Sequence, residues 1–84
     1  MGDRMGVKEA VVDRFTELCS QRHIKMNELA TRSGVTPSTV YSMVNKRRKD
    51  ITMVTIKKLC DGLEISLAEF FDSPIFEKLD QEIK

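Results

Sequence analysis

Cysteine, histidine, glycine and proline are all scarce in this chain of 84 residues, and each scarcity removes a class of explanation. The two cysteines, Cys19 and Cys60, stand far apart with no CxxC pairing, so a disulfide-stapled secreted scaffold is not expected. Both read as small apolar groups on helix faces. A single histidine, His23, is too little for a Cys/His zinc site. It reads as the close of the first helix, where a cationic ring suits the C-terminal dipole. Gly and Pro total 6 residues, too few for a collagenous repeat or a disordered tail. No apolar run approaches the ~20 residues of a membrane helix. The opening MGDRMG has no signal-peptide core, and Gly6 occupies the position where a myristoylated Gly2 would need Ser or Thr. A cytoplasmic protein with no membrane association is expected. Paired acid–base carboxylates, a Ser/His/Asp arrangement and a phosphate-binding loop are all missing, so no enzyme, metal site or cofactor is expected.

What is present is the composition of one small ordered domain, with 40% apolar and 32% charged residues. The apolar period is helical almost throughout. Val7, Val11, Phe15, Leu18 and Cys19 form one stripe, which predicts a helix over about Val7–Gln21. Met26, Leu29 and Ala30 mark a short second helix, Met26–Ser33, closed by Gly34. Thr36 as N-cap, Pro37 at N1 and a Val35/Val40 hydrophobic staple start a third helix, whose inward face continues with Met43 and Val44 and which ends near Asn45. Thr52 caps a fourth, with Ile51 and Ile56 as its staple and Ile56, Leu59, Cys60 and Leu63 as its stripe. Ser66 with Glu69 forms the capping box of a fifth. After Ser73-Pro74, the apolar spacing of Ile75, Phe76, Leu79 and Ile83 predicts a last amphipathic piece over Ile75–Ile83. The fold class is therefore all-α: five helices with a short C-terminal helical extension, divided as 7–71 and 72–84.

Charge is unevenly placed. Residues 1–60 carry 12 Lys/Arg against 6 Asp/Glu, whereas residues 61–84 carry 2 against 7. One side of such a molecule can approach a polyanion while the other is repelled.

Residues 26–45, MNELATRSGVTPSTVYSMVN, read helix, glycine turn, helix. Ala30 is small where two helices cross, and Gly34 lets the chain reverse. Here the chain resembles the Cro/C1-type (XRE) helix-turn-helix domains. The resemblance covers about Val11–Phe71 and rests on ELATRSGVTPSTVYSMVN, on TIKKLCDGLEISLAEFF, and on the distance between them. It implies a lambda-repressor-like fold whose third helix enters the DNA major groove. There are departures. Where members often carry a cap and a glutamine at the start of the second helix, this chain has Lys25 and Met26. The frequent glutamate near the end of the reading helix is Val44, which the resemblance sets against Met26. The usual glycine after the fourth helix is Glu64, which has to accept an unfavourable turn or shift it by one residue.

Mapped onto this chain, the family's base-reading positions are Pro37, Ser38, Tyr41 and Ser42. None can make the bidentate contact of Arg or Gln, so reliance on DNA shape is expected. Phosphate contacts are expected from Met26, Asn27, Thr36, Thr39 and Asn45 and from the basic run Lys46, Arg47, Arg48 and Lys49. Phe70, Phe71, Ile75, Phe76, Leu79 and Ile83 are many apolar groups for the edge of a small domain and read as a dimer face. The expected function is a sequence-specific, double-stranded DNA-binding transcriptional repressor acting as a homodimer. The alternative is an antitoxin-like module that binds a protein partner through its acidic C-terminal part.

Overall fold

The computed structural model describes residues 6–45, 47, 50–81 and 83. Gly2, Lys46, Arg48 and Lys49, named above, lie outside the described residues. The chain forms α1 (Val7–Gln21), α2 (Met26–Ser33), α3 (Pro37–Val44), α4 (Met53–Leu63) and α5 (Leu67–Phe71), followed by a 3-10 turn at Pro74–Glu77. A single bridge residue, Leu79, is the only extended pairing among the described residues.

Helix starts follow local side-chain chemistry. The Thr36 hydroxyl accepts from the Thr39 N–H at 3.2 Å, and Thr52 accepts from the Thr55 N–H at 3.1 Å. Ser66 accepts from the Glu69 N–H at 3.0 Å while the Glu69 carboxylate accepts from the Ser66 N–H at 3.2 Å. Each satisfies amide groups that a helix start leaves without partners.

Helix ends repeat one device. His23, Gly34 and Glu64 have φ of 57°, 69° and 61°, and each follows a helix. The next residue's N–H then reaches back to the last turn: Ile24 to the Cys19 carbonyl at 3.0 Å, Val35 to Ala30 at 2.9 Å and Ile65 to Cys60 at 3.0 Å. This is the Schellman closure, and the three apolar residues after it pack on the core. Only one of the three positions is glycine. Glu64 thus accepts the left-handed turn rather than shifting it.

The core is one cluster of Val11, Phe15, Leu18, Leu29, Met43, Ile56, Leu59, Leu63 and Phe70, with both cysteines buried among them. Burial pushes the Cys60 thiol up to about 11 and raises Cys19 as well. α2 crosses α4 at Gly62, where a Cβ would stand 2.1 Å from the Ser33 Oγ. That close approach lets the two helices sink together.

Two expectations are corrected here. Val44 does not face inward: it is 48% exposed. Val40 and Met43 already carry the buried face of α3. Met26 packs on the core, but an exposed Val44 gives it no buried partner. Among the described residues the C-terminal helical extension is shorter than the piece expected over Ile75–Ile83. Pro74 starts a 3-10 turn that ends at Glu77, because the apolar side chains find partners inside the domain. Phe15, Phe70, Phe71 and Phe76 stack together, with centroids 4.3 Å apart for Phe15–Phe70 and 4.9 Å for Phe71–Phe76. An isolated helix of that length is marginal in water, so this packing wins.

Candidate nucleic-acid interface

The α2–α3 unit is held from behind and open in front. Leu29, Ala30, Val40 and Met43 are buried, which fixes the opposite side of α3 outward. Pro37 and Ser38 are exposed, Tyr41 is 68% exposed and Ser42 is half-buried. Pro37 with Tyr41 and Ser38 with Ser42 are one helical turn apart, so the four form one face. Two hydroxyls and a phenol therefore stand on a single ridge.

The residues expected at phosphates divide into groups. Asn27 is exposed, and Arg47 is exposed too. The Met26 side chain is engaged with the core, so what this position can offer an anion is its backbone N–H. The Thr36 and Thr39 hydroxyls lie 3.0 Å apart and bond one another. Asn45 is half-buried, and its Oδ1 accepts from the Arg47 N–H at 2.9 Å, an Asx turn that sets how the chain leaves α3. Lys46, Arg48 and Lys49 lie outside the described residues.

Of the six residues read as a dimer face, Phe70 is fully buried, and Phe71 and Phe76 pack against the core. These three are engaged within their own chain. Ile75 and Leu79 are half-buried, and Ile83 is 87% exposed.

Two lysines stand at this site although neither was among the residues expected there. Lys25 is the exposed N-cap residue of α2, and its side chain accepts no hydrogen bond from the first-turn amides of that helix. Its signal was a basic residue where a hydroxyl or carboxamide usually sits. Lys8 is buried, 8% exposed, and its Nζ donates to the Ser42 carbonyl at 3.2 Å and to the Asn45 carbonyl. Its signal was a cation in the first turn of a helix, where the dipole disfavours it. A cleft of about 380 Å³ lies between α3 and the start of α4, walled by Thr39, Ser42 and Met43 on one side and by Ile51, Thr52 and Thr55 on the other.

Residues 4–74 match the Cro/C1-type HTH DNA-binding domain family. The chain belongs to that family. It is a DNA-binding transcription regulator by that membership, and its helical order is the lambda-repressor-like one. Among solved structures it is similar to one titled "Crystal structure of the prophage Lp1 protein 11". The two share 36% sequence identity with a TM-score of 0.81, over 89% of this chain and 99% of that one. No curated protein matches this Cro/C1-type chain. Among the described residues no helix is long and apolar enough to cross a membrane.

Proposed function

We propose that this Cro/C1-type protein is a sequence-specific repressor that occupies promoter DNA as a homodimer, with α3 in the major groove. The observation that carries the reading is the outward ridge of Pro37, Ser38, Tyr41 and Ser42 on a helix whose other side is buried. The uncapped first turn of α2, with Met26 and Asn27 N–H groups beside Lys25, suits one phosphate. Arg47 and the neighbouring Lys46, Arg48 and Lys49 suit the backbone on the other flank of the groove. Serines and a tyrosine read bases ambiguously, so specificity leans on DNA shape and on two half-sites read together. In the dimer a second copy sets its reading helix ~34 Å away, one DNA turn. With Phe70, Phe71 and Phe76 engaged in the core, pairing falls to Ile75, Leu79 and Ile83.

Selection of bound duplexes from a random pool tests this directly. The expected result is enrichment of a roughly palindromic site with half-sites about one helical turn apart. Absence of enrichment would overturn the sequence-specific reading. Enrichment of a single unpaired half-site, with a monomer mass by sedimentation, would overturn the dimer.

A further inference from the structure

α3 ends unlike the helices around it. α1, α2 and α4 close on a left-handed residue whose successor bonds back to the last turn. The cap residue of α3, Asn45, is extended instead, with φ −75° and ψ 118°. A helix end without that closure still has carbonyls to satisfy. At α3 a side chain from another helix helps to satisfy them. Lys8 Nζ donates to Ser42, in the last turn, and to Asn45, the cap, from 34 and 37 residues away in sequence.

The charge logic is unusual for α1 and favourable for α3. Lys8 lies in the first turn of α1, where a cation opposes that helix's own dipole. A buried ammonium also carries a desolvation cost unless it is hydrogen-bonded. Both costs are offset at the C-terminal end of α3, where partial negative charge gathers. This end of α3 is also the point from which the chain departs into residues 46–49. Asn45 serves both sides of the junction: its carbonyl accepts from Lys8, and its Oδ1 accepts from the Arg47 N–H at 2.9 Å.

We propose that Lys8 is a positioning residue for DNA recognition: its ammonium clamps the end of the reading helix and, through Asn45, fixes where Arg47 stands beside it. The proposal rests on the DNA-binding reading above. Lys8 needs no contact with DNA for this role. It couples the pitch of the Ser38–Tyr41 face to the placement of Arg47, so that base and phosphate contacts form together. Loss of the clamp costs selectivity more than it costs general attraction to a polyanion.

The test compares Lys8→Met, which keeps an aliphatic stem and removes the cation, with Lys8→Arg, which keeps the cation. Both are made alone and in a Glu64→Gly background, which relieves the strained turn after α4 and keeps the variants folded. Anisotropy is read on the selected duplex and on a scrambled duplex of equal length. Lys8→Met should lower the ratio of the two affinities about tenfold, with scrambled-duplex affinity changed by less than about threefold, and Lys8→Arg should recover the ratio. Equal weakening on both duplexes, or an unchanged ratio in a folded Lys8→Met, would overturn the proposal. Amide exchange of the free protein gives a reading independent of DNA. Lys8→Met should speed exchange at Met43, Val44 and Arg47 about tenfold relative to the middle of α1. Unchanged exchange there would also overturn it. If the wild type selects no duplex, the DNA reading falls, and Lys8 falls with it as a recognition residue, even where the exchange result still shows a clamp.

Discussion

Arg14 Nε donates to the Phe70 carbonyl at 2.7 Å, and its Nη2 donates to the Glu69 carbonyl at 2.9 Å. A guanidinium on α1 thus caps the C-terminal end of α5, 56 residues away, as Lys8 caps α3. α1 is therefore more than an apolar stripe. It carries two cations that hold the ends of two other helices, and its Phe15 ring stacks on Phe70 between them. Arg14→Met should lower stability by about 1–3 kcal/mol, the cost of leaving carbonyls without donors at a packed helix end. Urea melts measure this. Glu17→Ala, which removes only the short-range ion pair of Arg14, should change stability by less than about 0.5 kcal/mol.

Glu64 occupies a left-handed turn that glycine adopts without strain. Glu64→Gly should stabilise the fold by about 1 kcal/mol, the relief of the left-handed penalty less the added freedom of the unfolded chain. In a domain of this size that raises Tm by roughly 4–8 °C. A lowered Tm in calorimetry would mean the Glu64 side chain contributes something the backbone conformation does not explain.

Gly62 carries the opposite sign. In an exposed helix Gly→Ala stabilises by about 1 kcal/mol. Here a Cβ meets Ser33 Oγ at 2.1 Å, Leu29 Cδ1 at 3.1 Å and Ser33 Cβ at 3.3 Å. Gly62→Ala should therefore destabilise, by about 1–3 kcal/mol, through overpacking. Ser33→Ala removes the nearest atom, so the double variant should be more stable than the sum of the two single changes implies. Strict additivity in denaturant melts would contradict this contact.

These residues mark where the sequence was legible and where it was not. Helix starts depend on partners three residues away, as with Thr36 and Thr39 or Thr52 and Thr55, so local reading located them. Apolar spacing likewise identified the core stripes of α4 and of α1 from Val11 to Cys19, although Val7, read as part of the α1 stripe, is exposed. Lys8, Arg14 and Gly62 act on segments far along the chain, and even the misplaced charge of Lys8 in a first turn does not say which carbonyl, 34 residues distant, it reaches. The tail misled for the same reason: its helical spacing was real, but Phe76 packs on Phe70 and Phe71, and the helical turn stops at Glu77. Val44 has the right spacing for the inner face of α3, yet it sits at a helix end that the core does not cover.

The buried thiols give a pH-dependent prediction. Burial raises the Cys60 pKa from an ordinary 9.0 to about 11, because the apolar surroundings disfavour the thiolate. Native protein at pH 8 should therefore react with a thiol reagent only as fast as it opens, and urea should release both thiols. The sign of the stability effect follows. A raised folded pKa contributes stability that is fully present below 9.0 and lost as pH climbs through about 11. In a pH series of melts, Cys60→Ala should make this alkaline decline shallower, leaving the part that the raised Cys19 thiol contributes, while costing stability near neutrality.

The central claim is that the outward ridge of α3 reads DNA, and the most direct test is the ratio of affinities for the selected and scrambled duplexes in Ser38→Ala/Tyr41→Ala. The account predicts that the ratio falls by about 1–3 kcal/mol of discrimination, with scrambled-duplex affinity held. Arg47→Ala/Arg48→Ala, as the companion measurement, should weaken both duplexes alike and flatten a log–log salt slope expected near about −4 to −5 per protomer. An unchanged ratio in a folded Ser38→Ala/Tyr41→Ala protein would contradict the account.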